Sequence, residues 1–136
     1  MEALRAEVAD RQWERYAHLS EPPSPKLPLN DRIALLVERR SALFEAITPV
    51  RRAGLLSVYE SPTIARRLAR LGRMLRAQLE TLFANELARA DVTTLDAIDL
   101  CASWDLWDRL RTQQRLSITA AKRVVDAMLR SMLMKG

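Results

Sequence analysis

Glycine is scarce in this chain, with three among 136 residues, and cysteine and histidine occur once each, as Cys101 and His18. So few glycines leave no glycine-rich loop to cradle a phosphate. A lone cysteine excludes an intrachain disulfide and a cysteine-rich zinc site. A single histidine, with no cysteine or carboxylate at ligand spacing beside it, is a poor metal ligand. No nucleophile elbow and no HExxH signature occurs. Cys101 has apolar neighbours, the setting of an inert packing thiol rather than a nucleophile. Asp96, Asp99, Asp105 and Asp108 scatter around their helix instead of converging on a cation. The chain therefore reads as a non-enzyme, with no metal and no cofactor. Long apolar runs are missing as well, and none approaches the ~20 residues of a spanning helix. The opening "MEALRAEVAD" carries acids where a signal peptide needs a basic and then an apolar run. These absences predict a soluble, cytoplasmic chain with no membrane contact.

What remains is ordinary globular material: 49% hydrophobic and 29% charged residues, with a net charge of +5 to which Arg contributes nearly all the cations. Basic and acidic residues alternate over most of the length, so the excess reads as solvated charge rather than a nucleic-acid footprint. Stretches rich in Ala, Leu, Arg and Glu between sparse breakers predict helices almost throughout, and no alternating strand pattern of useful length interrupts them.

Residues 1–19 read as an amphipathic helix, and residues 20–30, "SEPPSPKLPLN", as a proline-rich connector that cannot be helical throughout. Residues 31–136 form the main domain. Its first helix opens at Asn30 or Asp31, both good N-caps, and carries Ile33, Leu36, Val37, Leu43, Phe44 and Ile47 at spacings of three and four. Pro49 is expected to end it and to start a short helix over residues 49–58. Ser61 and Pro62 then open the clearest helix, through residue 87, with Ile64, Leu68, Leu71, Leu75, Leu79 and Leu82 as one stripe. Its Arg66, Arg70 and Arg73 share a polar side, which reads as a solvent face in the absence of a glycine loop or aromatic platform. Another helix follows over residues 94–111, capped by Thr93 or Thr94. Ser117 caps the last, whose Asp126 and Arg130 form a favourable i,i+4 pair.

Two of the three tryptophans, Trp104 and Trp107, fall within one turn of the segment 94–111. On a helical wheel Leu95, Ile98, Ala102 and Leu106 form one apolar side, and Leu100, Cys101, Trp104 and Trp107 another. One side belongs to the domain core; the other faces either more core or a partner subunit. The last helix is similarly generous, with Ala121, Val124, Val125, Met128, Leu129, Met132 and Leu133. Two such hairpins joined about a two-fold axis would cover the surplus, so a homodimer with a four-helix interface is expected. The candidate interface residues are Leu95, Ile98, Ala102, Leu106, Ala121, Val125, Met128 and Met132.

Three segments carry a likeness to a known family: "DRIALLVERRSALFEAITPVRRAGLL", "SPTIARRLARLGRMLRAQLETLFANEL" and "LDAIDLCASWDLWDRLRTQQRLSITAAKRVV". In this order they resemble the C-terminal regulatory half of TetR-type transcriptional regulators, "SWDLWDRLR" followed by "LS" being the most specific part. The resemblance covers residues 30–134, and residues 1–19 resemble the connecting helix that follows the DNA-reading head in that family. It implies an all-α, antiparallel bundle of about six helices that dimerises through its last two long helices. It also implies a cavity for a small apolar or amphipathic effector. Mapped by position, the candidate cavity residues are Phe44, Leu56, Tyr59, Met74, Leu75, Cys101, Trp104 and Trp107, and Arg40, Arg51 or Arg52 would pair with an acidic effector. In the family, effector binding shifts the connecting helix and so the spacing of two heads that must sit about 34–36 Å apart on DNA. No helix-turn-helix precedes the connecting helix here, so no direct DNA binding by this chain is expected. A different reading is a helical interaction module that regulates a partner by heterodimerisation, without a small ligand.

Overall fold

The computed structural model describes Glu14, residues 17–57 and residues 62–134; the side chains of Ala17, Val50, residues 53–57 and Ile64 lie outside the description. Most of the expected leading helix (1–19) lies outside the described residues. A 3₁₀ turn, Ala17–Ser20, leads through the proline-rich connector into α1 (Leu29–Ser57), followed by α2 (Pro62–Leu82), α3 (Ala84–Ala88), α4 (Thr94–Cys101), α5 (Trp104–Asp108), a π-helical stretch Arg109–Gln113, and α6 (Ile118–Leu133). The described residues hold no strand, so the expected all-α bundle is what the chain forms.

Helix α1 is the central strut. Its apolar spacing puts Ile33, Leu36, Val37, Leu43, Phe44 and Ile47 into the core, each at most 6% exposed. Against that face pack α6, α2 and α5, while α4 bridges α6 and α2. Pro49 does not end α1, contrary to expectation; the helix runs through it to Ser57. A mid-helix proline removes one ladder bond and crowds the carbonyl four residues back. Here the preceding turn is tied by Thr48, whose hydroxyl donates to the Phe44 carbonyl and accepts from the Trp104 indole. Tertiary packing outweighs the local preference for a break.

The long helix expected over residues 61–87 is interrupted at Phe83, which leaves helical geometry at φ −115°, ψ 27° to sink its ring fully into the core. The helix expected over 94–111 is also two. It breaks at Ala102 and Ser103, where the Ser103 side chain accepts from the Leu106 amide and so caps α5. The two apolar sides on the wheel therefore do not map onto the two short helices: Ile98 and Cys101, one from each side, are both buried, and Leu100 is exposed. Before the break Ile98 and Cys101 point inward; after it Trp104, Trp107 and Leu110 do. The surplus of apolar surface on this segment is largely spent within one chain.

Helix α6 follows expectation. The Ser117 hydroxyl accepts from the Ala120 amide, and Ala121, Val125, Leu129 and Leu133, four apart, line the buried face. Arg130 pairs with Asp126 one turn earlier and reaches Asn30 at the start of α1. At the start of α4 neither expected threonine caps through its own side chain; the Asp91 carboxylate instead accepts from the Thr93 amide and hydroxyl. Among the described residues no helix is long and apolar enough to cross a membrane.

Candidate functional site

Two arginines of α1 organise the inner polar groups. Arg32 and Arg40 stand eight residues apart, about 12 Å along the same face, and each binds the carboxyl end of another helix. The last carbonyls of a helix lack intrahelical donors and carry partial negative charge, so a guanidinium is a fitting cap. Arg32 donates to the Leu82 carbonyl at the end of α2 (2.8 Å), to Leu27 (2.8 Å), and through both terminal nitrogens to the Glu86 carboxylate (2.8 and 2.9 Å). The pairing raises the Arg32 pKa and lowers that of Glu86. Arg40 donates to the Ala102 carbonyl just past α4 (2.9 Å), to the Leu75 carbonyl in α2 (2.8 Å) and to Gln78. It is 5% exposed, and its bonding partners are neutral. Burial lowers its pKa to about 10, with the Asp99 charge only partly opposing the shift.

The tryptophan pair meets the far half of α1. The Trp104 indole donates to the Thr48 hydroxyl (3.1 Å) and the Trp107 indole to the Glu45 carboxylate (2.8 Å). Arg111, within the π-helical stretch, grips the same carboxylate with two bonds of 3.0 Å and donates to the Leu116 carbonyl (2.8 Å). Hydrogen bonding to Arg111 holds the Glu45 carboxyl below its ordinary range, against the opposing effect of burial. Further along α1, the Arg51 guanidinium lies 4.8 Å above the Trp104 ring, a cation–π distance, and Arg52 bonds to Asp108 (2.6 Å) and Thr112 (2.8 Å).

Of the candidate cavity residues, Phe44, Leu75, Cys101, Trp104 and Trp107 are all buried, and Met74 packs half-buried against them. Phe44, Cys101 and Trp107 line one recess with Arg40, Ser41 and Val125, but its free space is about 10 Å³, room for one water molecule. The side chain of Leu56 lies outside the description, and Tyr59 outside the described residues. The Cys101 thiol is pushed up by burial, which keeps it protonated and inert. No group of three or more His, Cys, Asp or Glu suited to a metal ion occurs among the described residues.

The candidate interface residues divide. Ile98, Ala102, Ala121 and Val125 are at most 6% exposed within this one chain, so they are core and not available to a partner. Their inward turn follows from the break at Ser103 and from the four-residue spacing on α6. Leu95, Leu106, Met128 and Met132 remain half-buried at the edge of that core, with Val124 beside the two methionines on one flank of α6. Farther out, Leu100 is 61% and Met134 46% exposed.

Sequence reasoning missed Arg32, Glu86, Glu45 and Arg111 as partners. The signal for the first pair was an arginine on the apolar side of α1, four residues before Leu36. Nothing in the spacing connects positions 45 and 111. No family model, curated protein or solved structure matches the chain.

Proposed function

We propose that this chain is a ligand-sensing, dimerising regulatory domain of the TetR type, coupled to DNA through a head not contained in these residues. The observation that carries the reading is the apolar flank on α4–α6. Leu95, Leu106, Val124, Met128 and Met132 reach the surface while still continuous with the core. Half-buried apolar rows of this kind are the edge of an interface that resembles a core cut in half. A second copy applied about a two-fold axis brings the same row against itself. The effector enters at the junction of α1 with α5, where both indoles already bond to α1, so a ligand there displaces α1 relative to α5. A displacement of α1 is carried to the proline-rich connector through Arg39, which donates to the Pro22 carbonyl (2.8 Å).

The recess beside Cys101 favours a second reading, regulation of a partner by heterodimerisation without a small ligand, because its space of about 10 Å³ accepts no organic molecule until it opens. Two measurements separate the readings. Sedimentation velocity is expected to give a dimer at micromolar protomer, and the pair Met128→Glu and Met132→Glu a monomer. A thermal-shift screen of apolar and amphipathic compounds is expected to find stabilising ligands. A stable wild-type monomer rejects the first reading, and a dimer indifferent to the whole screen favours the second.

A further inference from the structure

We infer that Arg51 anchors the carboxylate of an organic monoanion beside Trp104. This rests on the ligand-sensing reading above and narrows it to a chemical class. Three arginines of α1 lie near the α1–α5 junction or the recess beneath it, and two are already committed. Arg40 is enclosed and spends its terminal nitrogens on two backbone carbonyls and Gln78. Arg52 is neutralised by Asp108 and also held by Thr112. Arg51 differs from both. Its Nε is buried and meets no acceptor, and among the described residues no carboxylate forms an ion pair with it.

A buried N–H without an acceptor is uncommon and costly in folded chains, and one on a charged group more so. The guanidinium is already positioned, because it rests on the Trp104 ring, and that ring is fixed through its own bond to Thr48. A planar fork held in one orientation, with an unused edge, matches a carboxylate through two parallel bonds. Burial lowers the Arg51 pKa, and the charge of Asp105 opposes the shift without forming an ion pair with the guanidinium. Charge balance selects the class of ligand. With Arg52 paired, one positive charge is left for the ligand, which suits a carboxylate and leaves a phosphate monoester with excess negative charge. The ligand's apolar portion lies against the indole-lined junction, as expected of an amphipathic effector.

The test is a titration of the full chain with hexanoate and benzoate, and with the matching neutral amides, followed by tryptophan emission and by the indole N–H resonances. The carboxylates are expected to bind at least about tenfold more tightly than their amides, the usual scale for hydrogen bonds to a charged group. Arg51→Met is expected to remove that preference. Arg51→Lys, which keeps the charge and loses the fork, is expected to retain only part of it. Far-UV circular dichroism shows that each variant is folded, and Arg66→Gln, at an exposed position of α2, is expected to bind as wild type. Equal binding of acids and amides overturns the anion assignment and leaves ligand sensing intact. Unchanged carboxylate affinity in a folded Arg51→Met variant overturns the role of Arg51. If neither series binds and the wider screen is also empty, ligand sensing fails and this inference with it.

Discussion

Replacing Arg32 by methionine isolates the largest electrostatic commitment in the fold. The side chains of Arg32 and Glu86 are 8% and 12% exposed, and four donor contacts from one guanidinium converge on Leu27, Leu82 and the Glu86 carboxylate. Methionine preserves much of the stem that packs beside Phe83, whose ring lies 5.7 Å from the guanidinium carbon. What it removes is the cap on α2 and the counter-charge of a nearly buried carboxylate. Breaking such a pair from one side costs about 3–5 kcal/mol, most of it from the stranded charge. A chain of this size holds roughly 7–20 kcal/mol in all, so the loss is a large share, equivalent to roughly 10–20 °C in Tm. Removing both charges, as Arg32→Met with Glu86→Leu, is expected to recover at least half of the loss, because no charge is then left unpaired. Urea unfolding at pH 7 and fixed protomer concentration, followed by circular dichroism, gives all four corners of the cycle.

The pH dependence of that pair has a definite sign. Glu86 has a lowered pKa in the folded chain, mainly through its bonds to Arg32. Its contribution is therefore complete above the unfolded carboxyl value near ~4.3 and disappears as pH falls through the lower folded value. The gap between wild type and Glu86→Gln should narrow in that acidic window. A cost for Arg32→Met below about 1 kcal/mol, the scale of an exposed ion pair, would refute the reasoning. So would a double variant as unstable as the sum of its parts.

Phe44→Ala, at a position 2% exposed in the middle of α1, is expected to cost about 3–5 kcal/mol in the same urea assay. Ser117→Ala removes the bond to the Ala120 amide and should cost about 1 kcal/mol; a neutral result would show that the cap contributes nothing. Glu45→Gln is expected to cost about 1–3 kcal/mol, since it weakens the contacts with Trp107 and Arg111 together, and to shift tryptophan emission at pH 7. Unaltered emission would place Trp107 outside the network. Across all of these, the Met128→Glu and Met132→Glu pair should leave the protomer folded while abolishing self-association, as sedimentation would reveal.

The fold class and most of the inward-facing residues were legible because helical periodicity reports burial directly. Ile33, Leu36, Leu43 and Phe44 on α1, Leu75, Leu79 and Leu82 on α2, and the cap at Ser117 all stand where spacing placed them. Breaks were harder to read. Pro49 signals a boundary in isolation, and the packing of α1 overrides it; Phe83 and Ser103 carry no strong breaker, yet each ends a helix because a large ring or a pair of indoles must turn inward. A wheel drawn through Ser103 combines two helices as one, and of the interface candidates Ile98 and Ala102 before the break, like Ala121 and Val125 on α6, are buried within the single chain. Of the candidate cavity residues, Phe44, Leu75, Cys101, Trp104 and Trp107 are buried as their spacing suggested, but their partners were not legible. The arginine contacts to Leu82, Ala102 and Glu45 cross more than thirty positions of sequence, and a hydrogen bond leaves no periodic trace.

Cys101 occupies the last residue of α4, beside the carbonyl that Arg40 holds and two positions from the cap of α5, and it is 6% exposed. As the sole thiol of the chain it is a natural clock for the joint between those helices. An alkylating reagent can reach it only during a transient opening, so the labelling rate counts how often the joint parts. Any ligand, partner or substitution that tightens or loosens this joint will be read as a slower or faster tick, without a label being introduced.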